Sequence, residues 1–135
     1  MSINTKAYIE NYIKIRDKKN NIVPLVFNEP QLKYYNVIKK MYQQKKPIRI
    51  IILKARQMGF STETEAIIFK NVVTHHNYNA GIVAHKEDST ANLFNMSKRM
   101  LEYLPDDIKP ERKKSNAKEL VFNNEQGTGL DSRMK

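Results

Sequence analysis

The sequence predicts an α/β fold, a parallel sheet flanked by helices, and three observations lead there. A continuous β-branched run, IRIIIL at 48–53, fits a strand buried on both faces. Apolar runs alternate with amphipathic segments in the order helix–helix–β–loop–α–β–α–β, and such alternation implies parallel strands joined by right-handed crossovers. The 135 residues suit one domain or a piece of one, and 40% of them are hydrophobic, enough for a core.

Taken in order, residues 4–16 carry Tyr8, Ile9, Tyr12, Ile13 and Ile15 at mostly 3–4 spacing, which predicts a short amphipathic helix. DKKNN at 17–21 breaks it with turn-forming residues. IVPLVF at 22–27 is extended, because Pro24 and Pro30 push the residues before them out of the α region. A helix resumes near Pro30, an acceptable first-turn residue, and runs to about Gln44 with Leu32, Tyr35, Ile38, Met41 and Tyr42 on one face. Pro47 stops it, and the strand at 48–53 follows. KARQMGFST (54–62) leads into a helix from about Ser61 to Thr74, with Ala66, Ile67, Val72 and Val73 inward. HHNYN (75–79) closes that unit, and AGIVAH (80–85) reads as a second strand. Residues 86–104 form an amphipathic helix with Leu93, Met96, Met100, Leu101 and Leu104 on its apolar side. Pro105 and Pro110 mark a loop, the basic cluster Arg112, Lys113 and Lys114 lies behind it, and ELVF (119–122) is a third strand. NNEQGTGLDSRMK is turn-rich. There is no internal repeat and no low-complexity tract.

Composition excludes several classes of function. The chain has no cysteine, hence no disulfide framework, thiolate metal site or cysteine nucleophile. No apolar run approaches the roughly 20 residues of a membrane span, and the N-terminus lacks the apolar stretch of a secretory signal. The expectation is a soluble, intracellular protein. The net charge of +10 is unevenly spread: residues 1–54 hold 12 Lys/Arg against 3 Asp/Glu, and the remainder holds 12 against 11. A basic first third beside a balanced remainder suits a face that meets a polyanion, though Lys-rich surfaces also serve solubility.

The chemistry concentrates in the loop at 54–62. A buried strand running into a glycine-containing loop and then a helix is the context of a phosphate site, since loop amides and the helix N-terminus aim positive partial charge at one place. Gly59 permits close backbone approach, Ser61 or Thr62 supplies a hydroxyl for Mg²⁺, and Lys54 and Arg56 supply cations. Of the pattern G-x-x-x-x-G-K-[ST], the second glycine and the serine align as Gly59 and Ser61. Lys54 stands where the first glycine belongs, and Phe60 replaces the lysine. The alternative is a strand–turn–helix joint that holds no ligand.

KARQMGFST, with its cation at the front of the loop, resembles the deviant Walker A motif of viral (bacteriophage) terminase large subunits, the ATPase motors that package double-stranded DNA into capsids. FNEPQ (27–31) is similar to that family's adenine-recognition segment, and GIVAHKEDSTANLFNMSKRMLEYLP (81–105) to its second strand and following helix. The similarity spans about residues 22–133. It implies a P-loop NTPase-type domain over 22–135, preceded by a basic helical extension at 1–21. By the resemblance, ATP and Mg²⁺ are the cofactors. Gln31 would read the adenine edge with Phe27 near the base. The amides of Gln57, Met58, Gly59, Phe60, Ser61 and Thr62 would wrap the phosphates, and Ser61 would ligate Mg²⁺. Arg56, with Lys54 as second candidate, would meet the γ-phosphate, since a guanidinium fork suits phosphate oxygens. Implied partners are double-stranded DNA, a small terminase subunit, a portal protein and further copies of the chain, with no membrane, in the cytoplasm of an infected cell.

Hydrolysis also needs a carboxylate for the metal and a group that orients water. No apolar run ending in Asp-Glu occurs, Asn123 stands where an Asp is wanted, and no nuclease domain is present. The expectation is the N-terminal part of a motor, cut before its second catalytic motif, that binds ATP without hydrolysing it. The rivals are a helicase-like P-loop ATPase and a non-enzymatic basic nucleic-acid-binding protein. His75 and His76 read as helix-terminal residues, with His85 the only other histidine, and Asp106–Asp107 as a solvated turn. The tyrosines at 8, 12, 34, 35 and 42 read as packing residues. Arg112, Lys113 and Lys114 suit either DNA phosphates or a solvated loop.

Overall fold

Helix α3 (Phe60–Thr74) is the element the other helices pack around, with eight of its 15 residues buried. Ala66, Phe69 and Val72 are fully buried, and the helix packs on α1 (Thr5–Tyr12), α2 (Glu29–Gln43) and α4 (Glu87–Glu102). The computed structural model describes residues 5–116, 118–122 and 129–135. Ile9 and Ile13 from the N-terminal segment, Phe94 and Met100 from α4, and Leu120 and Phe122 all enter one hydrophobic core.

The predicted helix over 4–16 is shorter than its apolar spacing suggests. It ends at Tyr12, and Lys14–Arg16 form strand β1, antiparallel to β2 (Ile22–Pro24). Ile15 is half-buried between the exposed Lys14 and Arg16, so the period-2 signal of K-I-R wins over the helical one. The turn between the strands is the one that DKKNN demands: Asp17 Oδ1 accepts the Lys19 and Asn21 backbone N–H groups at 2.8 Å, and Asn20 takes a positive φ of 64°. Helix α2 starts where Pro30 allows. Asn28 is its N-cap, with a full capping box against Gln31.

The sheet departs from the expectation. Strand β3 (Asn79–Ala80) pairs in parallel with β6 (Arg133–Met134), but β6–β5 (Leu120–Phe122) and β5–β4 (Arg112–Ser115) are antiparallel, in the order β3-β6-β5-β4. The sheet is mixed, and the chain is α/β in this coarser sense. Two predicted strands change. AGIVAH contributes only Ala80 to a strand, and residues 48–53 belong to none, with Ile51 94% and Leu53 98% exposed. A strand needs a hydrogen-bonding neighbour along an edge and layers over both faces to be buried, and none of the described strands pairs with this run. Conversely, Arg112–Ser115, read as a basic loop, is a strand, and the turn-rich C-terminal stretch includes β6. Asn123 lies outside the described residues.

Candidate functional site

The loop before α3 carries two left-handed residues within three positions. Gln57 (φ 60°) and Gly59 (φ 80°) are both left-handed, a conformation that turns neighbouring amides toward one side. Gly59 is the N-cap of α3 and supplies no side-chain cap, so the first-turn amides of Phe60, Ser61 and Thr62 receive no side-chain acceptor from it. Lys54 and Arg56 are exposed, and neither forms an ion pair among the described residues; the Lys54 ammonium donates only to the Ala55 carbonyl, at 3.3 Å. Ser61 is exposed and Thr62 is half-buried, its hydroxyl directed at Met96 Sδ, 3.9 Å away. Of the two hydroxyls, that of Ser61 is the one presented to solvent. Met58 and Phe60 are half-buried, and the Phe60 ring stands edge-on to Tyr34 at 5.6 Å.

Gln31 and Phe27 have a different place. Gln31 is 3% exposed: its Oε1 accepts the Asn28 backbone N–H at 2.9 Å, and its Nε2 donates to the Gly59 carbonyl at 2.9 Å. The side chain therefore ties the start of α2 to the start of α3. Asn28 Nδ2 adds a longer bond to the Met58 carbonyl. Phe27 is buried in the core, its ring 5.7 Å from that of Tyr35. The structure thus brings together Lys54, Arg56, the 57–62 backbone and Ser61 on an accessible loop, and sets Phe27 and Gln31 into the packing that holds the loop.

Buried charge on α3 escaped the sequence reading. Glu63 is fully buried, neither carboxylate oxygen has a hydrogen-bond partner, and burial pushes its pKa from 4.5 up to about 8. At neutral pH it holds its proton, so it does not cancel the positive end of α3. Burial likewise raises Glu65 to about 7, partly offset by the hydroxyl of Ser97, which donates to Oε1. Lys70 is 4% exposed, and burial lowers its pKa. The signal was present: Glu63 lies three and four residues before Ala66 and Ile67, and Glu65 four before Phe69, all on buried faces.

The remaining candidates are local. His75 caps the C-terminus of α3, His76 Nδ1 lies 2.9 Å from the Gly129 carbonyl, and no three His, Asp or Glu among the described residues gather as a metal group. Asp106 is exposed in a turn and pairs with Lys109 at 3.3 Å. Tyr35 is buried, Tyr8 and Tyr12 stack edge-on at 5.1 Å, and Tyr42 is 47% exposed. No described helix is long and apolar enough to cross a membrane. A comparison with protein-family models finds no match, and a comparison with curated proteins finds none either.

Proposed function

We propose that the chain is the ATP-binding part of a viral DNA-packaging motor, a terminase large subunit with a P-loop NTPase-type domain. The observation that carries this reading is the loop itself. Two left-handed residues, a helix N-terminus without a side-chain cap, two cations with no ion pair among the described residues and one exposed hydroxyl come together within residues 54–62. This donor set fits a triphosphate, which is anionic and acceptor-rich. Bound ATP would supply the phosphoanhydride, and Mg²⁺ the charge that neutralises its oxygens. The 57–62 amides would hold the phosphates, Arg56 or Lys54 would face the terminal one, and Ser61 would meet the metal. Double-stranded DNA, a small terminase subunit, a portal ring and further copies are the partners this reading carries with it.

Binding, not turnover, is the activity proposed for these 135 residues. The two carboxylates nearest in sequence, Glu63 and Glu65, are buried and held protonated or half-protonated at neutral pH. Titration of the chain with a fluorescent ATP analogue and Mg²⁺ tests the reading. Arg56→Ala and Ser61→Ala are each expected to weaken binding about tenfold or more, the loss of one charge-assisted contact. Steady ATP turnover abolished by Arg56→Ala would refute the restriction to binding. A second reading, a non-enzymatic basic nucleic-acid-binding protein, is favoured by the lack of any strand at 48–53; it requires that no variant change nucleotide affinity, because none exists.

A further inference from the structure

A second group of cations neighbours Thr62. Lys14 and Arg16 of β1 and Arg99 of α4 line a cavity of about 50 Å³, together with Ile15, Thr62, Met96 and Met100. Lys14 and Arg16 project from the same face of their strand, two residues apart, and Arg99 reaches the cavity from the last turn of its helix. No side chain of the three forms an ion pair or hydrogen bond with a described residue, whereas Lys6, Lys33, Lys109, Lys118 and Arg133 each have a carboxylate partner.

The carboxylates on the surrounding elements do not answer this charge. Asp17 spends its oxygens on the Lys19 and Asn21 amides and side chain of its own turn. Glu63 has no partner at all, Glu65 accepts from Ser97, and Glu102 is exposed beyond Arg99. Three cations gathered without a counter-charge repel one another, a cost a surface avoids by placing an acid among them. The cavity is far smaller than the several hundred Å³ of a pocket for a nucleoside or a drug-sized molecule, and has room for one small anion. Two arginines, a lysine and a threonine, the last with its hydroxyl 3.9 Å from Met96 Sδ, carry the donors that the oxygens of a phosphate group accept.

We propose that Lys14, Arg16, Arg99 and the Thr62 side chain form a phosphate-binding pocket beside the loop at 54–62, with which it shares only Thr62. The basic first third of the chain favours a nucleic-acid phosphodiester as the source of that phosphate. The pocket stands whether or not the loop binds ATP, because none of its cations belongs to the loop.

The test uses the full chain and a fluorescent duplex oligonucleotide, with anisotropy followed across a salt series. The triple variant Lys14→Gln/Arg16→Gln/Arg99→Gln is compared with a charge-matched control, Lys18→Gln/Lys40→Gln/Lys46→Gln, at exposed positions outside the cavity. A pocket holding one phosphodiester predicts about tenfold or more weaker binding for the first relative to the second, with a salt slope smaller by about one. Arg99→Lys, which keeps the charge at the half-buried position, guards against misfolding and should recover part of the loss. In parallel, inorganic phosphate is titrated against the arginine Nε–H resonances. Saturable shifts of Arg16 and Arg99, lost in the triple variant while DNA affinity matches the control, support the pocket and assign it to free phosphate. Equal DNA affinity for both triple variants, together with no saturable phosphate shift, overturns the proposal.

Discussion

The Gln31–Gly59 tie can be tested by a double-mutant cycle. Gly59 has φ 80°, and a Cβ added there would stand 2.7 Å from Gln31 Nε2 and 3.3 Å from Cδ. Gly59→Ala therefore costs about 1–2 kcal/mol for the left-handed backbone. It must also displace the Gln31 amide from the Gly59 carbonyl, orphaning a buried donor at about 1–3 kcal/mol. The single variant should lose about 2–5 kcal/mol. Gln31→Ala removes both the bond to Gly59 and the return bond of the capping box, about 2–4 kcal/mol together. In the Gln31→Ala background the crowded contact is gone, so Gly59→Ala should then cost only its backbone strain. Urea unfolding followed by circular dichroism gives the four stabilities, and a coupling of about 1–3 kcal/mol is expected. Costs that add to within about 0.5 kcal/mol would refute the claim that this amide holds the loop.

Two further perturbations address the core. Glu63 binds its proton more tightly folded (pKa about 8) than unfolded (4.5), so its contribution is complete below pH 4.5 and is lost as pH rises through 8. Unfolding free energy should fall by about 1.4 kcal/mol per pH unit inside that window from this group alone. Glu63→Gln should remove that slope, and urea midpoints unchanged in their pH dependence would show that the carboxyl is already ionised. Ile51→Lys should change stability by no more than about 0.5 kcal/mol, because the side chain is 94% exposed, whereas Phe69→Ala, fully buried, should cost about 3–5 kcal/mol. A loss of several kcal/mol at Ile51 would mean that 48–53 is a buried strand after all.

Helix α2 was legible almost to the residue, because Pro30 and a 3–4 apolar stripe are local signals; the Asn28 cap, equally local, went unread. The start of α3 after Gly59 and the Asp17 turn were legible for the same reason. The loop at 54–62 could be read as a place where amides, cations and a hydroxyl collect, since those groups are adjacent in the chain. The first helix was overextended because Ile13 and Ile15 fit both a helical stripe and strand alternation, and pairing with Ile22–Pro24 decides between them.

Composition and order in the chain by themselves determined helices α2, α3 and α4, the Asp17 turn, the basic first third and the glycine joint before α3. Tertiary structure alone decided that IRIIIL stays out of the sheet, that β6 from the turn-rich end lies between β3 and β5, and that Gln31 spends its amide on the Gly59 carbonyl. It also placed Lys14 and Arg16 against Arg99, more than eighty residues away in sequence, and enclosed Glu63 without a partner. Helix stripes and caps form between residues three or four apart, so the sequence displays them. Strand partners, buried acids and cation clusters arise between distant segments, and only packing brings those segments together.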